Sequence, residues 1–175
     1  MLDTATAYNR FKFIGHEFLT WLWYLIETDN AVLHHSELPT MTLALGKRMV
    51  LENPRENHAE TITIKGDYSN FETGFLPLKQ GALVTEISLE AKSKETTWEF
   101  NLKGESLAVT NMRISNLGPI ENNEEIEGAV LEKIYLLEQI HTYVDSLFEK
   151  FLLLRVSDQW PHELVPQMQK WLRNN

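Results

Sequence analysis

The sequence predicts an α+β fold: an antiparallel sheet of four to six strands covered by an N-terminal aromatic helix, a long C-terminal helix and a short final helix. Three observations carry this expectation. Apolar residues recur with helical spacing at both ends of the chain and alternate with period two in the middle. The middle segments are short and separated by turn residues, which favours antiparallel meanders over βαβ units. The 175 residues are 43% hydrophobic and 23% charged, and a chain of this size buries roughly 70% of its unfolded surface without covalent staples. It also has no cysteine with which to make any. One domain over residues 1–175 is the expected organisation.

The elements follow in order. Residues 1–13 read as a polar leader. From Ile14 the spacing is helical, with Ile14, Phe18, Trp21, Leu22 and Leu25 on one face and Trp23 and Tyr24 on the flanks. A helix over 14–29 is therefore apolar almost all round, and such a helix is either deeply buried or packed against two surfaces. Its uninterrupted apolar part runs only from Phe18 to Ile26, broken once by Thr20. A bilayer needs about 20 such residues, so this is core material and no membrane is expected. No small-residue cleavage site follows it, so it does not read as a signal peptide either.

Residues 40–114 are mainly β. Met41, Leu43 and Leu45 alternate, and Gly46-Lys47 suggests a tight turn into Met49–Glu52. Ile62 and Ile64 alternate, as do Leu83, Thr85, Ile87, Leu89 and Ala91, then Trp98, Phe100 and Leu102. In the last strand Leu107 and Val109 point one way, and Ala108, Thr110, Met112 and Ile114 the other. A short helix is expected near 69–80, despite Gly74 and Pro77. After the linker around Gly118-Pro119 comes the longest periodic run, predicting a helix over 124–156. Val130, Leu137, Val144 and Phe151 recur every seven residues, and Ile134, His141 and Phe148 share their face. Asn122 or Asn123 is the expected cap, and Glu124, Glu125 and Glu127 suit the positive end of the helix dipole. Ser157 or Asp158 is expected to cap a final helix over 158–173, with Pro161 in its first turn. The aromatic helix should lie between the sheet and the long helix.

The chemistry-bearing motifs are sparse. There is no GxSxG, P-loop, GxGxxG or HExxH, so neither a catalytic set nor a cofactor is expected. His16-Glu17, His34-His35 and Glu37 match no metal-ligand spacing, and His34 and His35 read as polar loop histidines; no metal is expected. His141 reads as a core histidine. The formal net charge of −9 argues against simple duplex binding, which usually draws on a basic surplus. The outward sheet face should carry Val84, Glu86, Ser88, Glu90 and Lys92, then Glu99, Asn101 and Lys103, with Thr61, Thr63 and Lys65 on an earlier strand. Lys92, Lys94, Lys103 and Arg113 form the one concentration of cations that could touch phosphates. The excess of bulky apolar residues at both ends points to a homo-oligomer, a dimer first, with Trp23, Tyr24, Phe148 and Leu152 as candidates for its surface.

The stretch GHEFLTWLWY, the run LKQGALVTEISLEAKSKETTWEFNLKGESLAVTNMRI and the long helix that follows resemble the C-terminal half of the recombination-associated RdgC-type proteins. The resemblance covers about residues 14–155 and rests on Leu19-Thr20-Trp21-Leu22-Trp23 and on a short helix ending at Gly81 before three strands. It implies a non-enzymatic bacterial cytoplasmic protein that oligomerises, contacts DNA without sequence preference and modulates recombination. The alternative from the residues alone is an oligomeric interaction or scaffold module with no nucleic-acid role.

Overall fold

The computed structural model describes residues 4–28, 40–54, 59–66, 68–115 and 125–175. Its architecture is α+β. Helix α1 (Thr4–Thr28) leads into β1 (Thr42–Pro54) and β2 (Ala59–Lys65). A 3₁₀ turn at Tyr68–Gly74 then runs into α2 (Phe75–Lys79). Strands β3 (Leu83–Lys92), β4 (Thr97–Lys103) and β5 (Val109–Ile114) follow, then α3 (Glu125–Arg155). A π-turn at Trp160–Leu164 and α4 (Val165–Asn174) end the described chain. The five strands form one open antiparallel sheet in the order β2-β1-β3-β4-β5.

One sheet face is apolar and covered. Leu43, Met49 and Leu51 of β1 stand opposite Ala91, Ile87 and Val84 of β3; Phe100 and Leu102 continue the layer on β4. Against it lies α1, in which every residue from Trp21 to Ile26 is buried. On its far side Phe18 and Trp21 meet Phe151 of α3, at ring separations of 5.4 and 5.6 Å. Trp23 and Tyr24 meet Trp171 of α4 edge-on. The expected sandwich of sheet, aromatic helix and C-terminal helices is what forms, and the all-round apolar character of α1 is its cause. One contact sets how close the layers come: a side chain on Gly15 would sit 1.7 Å from the carbonyl oxygen of Gly104, in the turn after β4.

Several local expectations are corrected. Helix α1 starts at Thr4, so most of the segment expected as a leader is helical. Gly46-Lys47 is not a turn: β1 runs straight through, and a bulge between Leu45 and Met49 absorbs the extra residues. Gly46 is needed there, because a Cβ would lie 2.4 Å from the Ser88 hydroxyl. A second irregularity, where Val50 and Leu51 pair with Glu86 and Val84, flips parity in β3. Val84 is therefore fully buried and Leu83 exposed, the reverse of strict alternation. In β5 the extra residue is Asn111, at φ 53°, and it lets both Val109 and Ile114 pack on the core. Asn101 is buried rather than solvated, held by its Nδ2 donating to Glu86 at 2.9 Å.

The C-terminal helices differ too. The buried face of α3 is Leu136, Ile140, Tyr143, Val144, Leu147 and Phe151. Val130, Ile134 and His141, expected on that stripe, are exposed. Ser157 donates to the Leu154 carbonyl at 2.7 Å, closing the end of α3 instead of opening the next helix. The final helix begins as a π-turn, in which the Val165 N–H reaches back to the Trp160 carbonyl. The expected cap at Asn122 or Asn123, and His34, His35 and Glu37, lie outside the described residues.

Candidate functional site

The 31 residues of α3 span roughly 46 Å at 1.5 Å per residue, longer than β4 and β5 with 7 and 6 residues at about 3.3 Å each. The helix therefore outruns these two strands. It meets the sheet's end at the β3–β4 hairpin, where the Trp98 indole donates to the Leu136 carbonyl at 3.1 Å. From Leu136 onward one side of α3 is core. Upstream of it, Ile126, Val130, Leu131, Ile134 and Tyr135 keep 43–61% of their surface in water.

At 100° per residue their mean direction points away from Leu136, Ile140 and Leu147, although Ile126, five full turns before Val144, is in line with the buried stripe. Further along that outward side the helix carries Glu138, Asp145 and Glu149, all exposed and charged. The apolar outward face thus stops near Tyr135. The sequence expectation missed it because a seven-residue repeat placed Val130 and Ile134 with Val144 and Phe151.

The candidate phosphate contacts do not converge. Lys92 and Lys94 belong to the β3–β4 hairpin end, while Lys103 stands at the far end of β4, about 20 Å away at 3.3 Å per residue. Lys92 is ion-paired with Glu90 at 3.0 Å, Lys103 stands opposite Glu86, and Arg113 opposite Glu99. On the open sheet face a groove of about 550 Å³ includes Lys47, Glu90, Glu99 and Arg113 in its lining. Its signs are mixed, and among the described residues no continuous positive strip crosses this face. Glu86 is engaged twice, by Arg48 and by Asn101. Among the described residues there is also no group of three or more potential metal ligands.

Of the residues expected at a self-association surface, Trp23 and Tyr24 are consumed by the chain's own interior. Trp23 stacks on Phe75 at 4.8 Å and donates to Glu27 at 2.6 Å. The Tyr24 hydroxyl donates to Gln167 at 3.1 Å. Glu27 takes a second indole, that of Trp171, at 2.8 Å, so one carboxylate ties α1 to α4. Phe148 is half-buried and packs edge-on to Phe18 at 5.1 Å; Leu152 is half-buried beside it.

A second concave feature is an apolar groove of about 270 Å³ between α1, α2 and α4, with Leu78, Leu83, Met168 and Leu172 in its walls. His16 and Glu17 reach its rim, but His16 is turned to the Val84 carbonyl at 3.1 Å and Glu17 is held by Arg155 at 2.7 Å. No described helix is long and apolar enough to cross a membrane. No protein-family model, no curated protein and no solved structure matches the chain.

Proposed function

We propose that this chain is a non-enzymatic interaction module whose layered body holds the first three turns of α3 out as an apolar docking face. One observation carries the reading: five large apolar side chains stay solvated on a helix whose other half is locked into an aromatic core. Contiguous apolar surface of several hundred Å² on a soluble domain marks an interaction site. A cleft of about 490 Å³ gathers His16, Arg48, Glu52, Glu86, Lys103 and Glu105, but Arg48 is ion-paired with Glu86 and His16 is turned to the Val84 carbonyl.

The second reading is the one the resemblance implies, a cytoplasmic RdgC-like protein that contacts DNA; Lys92, Lys94, Lys103 and Arg113, singled out by the residue pattern, would be its contacts. The resemblance supports it; the carboxylate beside or across from Lys92, Lys103 and Arg113 weighs against it.

Two measurements decide. Leu131→Glu with Ile134→Glu should abolish binding of a hydrophobic fluorescent probe while leaving circular dichroism and the thermal midpoint unchanged. A midpoint falling as far as for a core truncation would mean that these residues are interior, and the docking reading would fail. A labelled duplex should give flat anisotropy at about 50 and about 200 mM salt, whereas phosphate contacts give tight binding at the lower and steep loss at the higher.

A further inference from the structure

We propose that the apolar groove between α1, α2 and α4 binds a small neutral amphiphile, a medium-length alkyl body ending in a hydroxyl. The walls of the groove differ in chemistry. Leu83, Met168 and Leu172 give it aliphatic surface, and the nearly buried Trp160 and Trp171 join them. Its polar groups come mainly from one element: His16, Glu17 and Thr20 of α1. Apolar walls with a few polar groups on one side are the usual make-up of a small-molecule site. At about 270 Å³ the groove holds on the order of nine water-sized groups of about 30 Å³ each. A ligand of roughly nine heavy atoms therefore fits, smaller than a drug-sized one.

The α1 wall decides the head group. His16 Nδ1 lies 3.1 Å from the Val84 carbonyl, which can only accept, so Nδ1 carries the proton and Nε2 of the neutral ring is an acceptor. Thr20 gives its own proton to the His16 carbonyl at 2.9 Å and keeps its oxygen lone pairs for a donor. Among the described residues lining the groove, Glu17 is the one carboxylate, and no lysine or arginine stands with it. Arg155 neutralises that carboxylate at 2.7 Å, from a position over the Trp160 ring. A carboxylate head would meet Glu17 and an ammonium head would meet Arg155, and like charges brought together are penalised. A hydroxyl donates to an α1 acceptor and leaves the Glu17–Arg155 pair intact.

This site is independent of the docking face: among the described residues, none of α3 lines the groove. Methionine methyl resonances distinguish the two. The chain has five methionines; Met168 lines this groove, Met112 the one on the open sheet face, and Met41 and Met49 are buried.

When the full chain is titrated with octan-1-ol, the Met168 methyl, assigned with Met168→Leu, should shift saturably while that of Met112 stays. Octanoate and octylammonium, matched in length and kept below their aggregation limits, should bind at least about tenfold more weakly. Glu17→Gln strips the ion pair to a cation and should bring octanoate level with the alcohol. Arg155→Gln strips it to an anion and should do the same for octylammonium. Leu83→Glu, at a residue 39% exposed, should remove the Met168 response without moving the thermal midpoint. Leu131→Glu with Ile134→Glu should leave that response intact. A Met168 methyl unmoved up to the solubility limit of octan-1-ol would overturn the site, and so would a response that survives Leu83→Glu. Equal affinity for the three ligands, or charge variants that leave their ranking unchanged, would overturn the neutral head group.

Discussion

Helix α1 and the first three turns of α3 are both rich in large apolar residues, and both contain a glycine inside the helix. They end in opposite environments. Around Phe18–Ile26 the aromatic rings are buried against β3 on one side and against Phe151 and Trp171 on the other. Around Ile126–Tyr135 comparable side chains stand in water. The two glycines repeat the contrast: Gly15 is pressed onto the Gly104 carbonyl, while a Cβ on Gly128 would meet nothing within 4 Å. Apolar content therefore does not decide burial here; position relative to the end of the sheet does. What lies over the strands becomes core, and what extends past the Trp98–Leu136 hydrogen bond becomes surface.

The sharpest way to break this comparison is to truncate one side chain on each side of that boundary. Phe151 packs on Phe18, Trp21, Phe148 and Trp160. Phe151→Ala should cost about 3–5 kcal/mol in denaturant unfolding, since it removes buried ring surface and leaves a cavity. Ile134→Ala should cost under about 0.5 kcal/mol, as an exposed substitution does. Equal costs would mean that α3 is core along its whole length. Next in size, Gly15→Ala should destabilise by about 3 kcal/mol, because the new methyl overlaps backbone that cannot rotate away. A neutral result would mean that α1 and the β4–β5 turn are not in backbone contact.

Much of this fold was legible because its strongest signals are local. The aromatic run of α1, the period-two segments and the long repeat of α3 each fix an element type from a few neighbouring residues. What was not legible depends on partners distant in sequence. Parity in β3 is set by the bulges that pair it with β1, so Val84 and Leu83 exchange faces. Which apolar residues of α3 are core depends on where the β3–β4 hairpin ends, and no periodicity within α3 encodes that. Trp23 and Tyr24 read as surplus because Phe75, Gln167 and Trp171, which absorb them together with Glu27 of the same helix, are distant in sequence. Of the candidate site, the cations were visible as a count, but the carboxylates facing them came from strand register.

Tyr143 sharpens the comparison through pH. It lies on the buried side of α3, where burial pushes its phenol up from 10.0 to about 12. The neutral form is favoured in the fold, so this contribution is complete below pH 10 and disappears as pH rises through 12. Two pH units correspond to a loss on the order of 2–3 kcal/mol. The loss should appear as a falling urea midpoint over that window. Tyr143→Phe should remove most of it, whereas Tyr135→Phe, on the solvated half, should leave it intact. A pH profile unchanged by Tyr143→Phe would mean that the phenol ionises as freely in the fold as out of it.

The smallest expected effect concerns Gly128. Glycine inside a helix costs about 0.5–1 kcal/mol relative to alanine, because the unfolded chain has more backbone freedom to lose. Gly15 repays that cost with a close contact; Gly128, exposed and with open space around its Cα, does not. Gly128→Ala should therefore stabilise the helix by roughly that amount, and the gain should be local. Amide exchange over 126–135 should slow several-fold, while the global unfolding midpoint moves much less, because turns without core contacts open without unfolding the body. If instead the global midpoint rises by the full increment, the overhanging turns unfold together with the sheet and α1. The boundary at Trp98–Leu136 would then separate two kinds of surface but not two levels of stability.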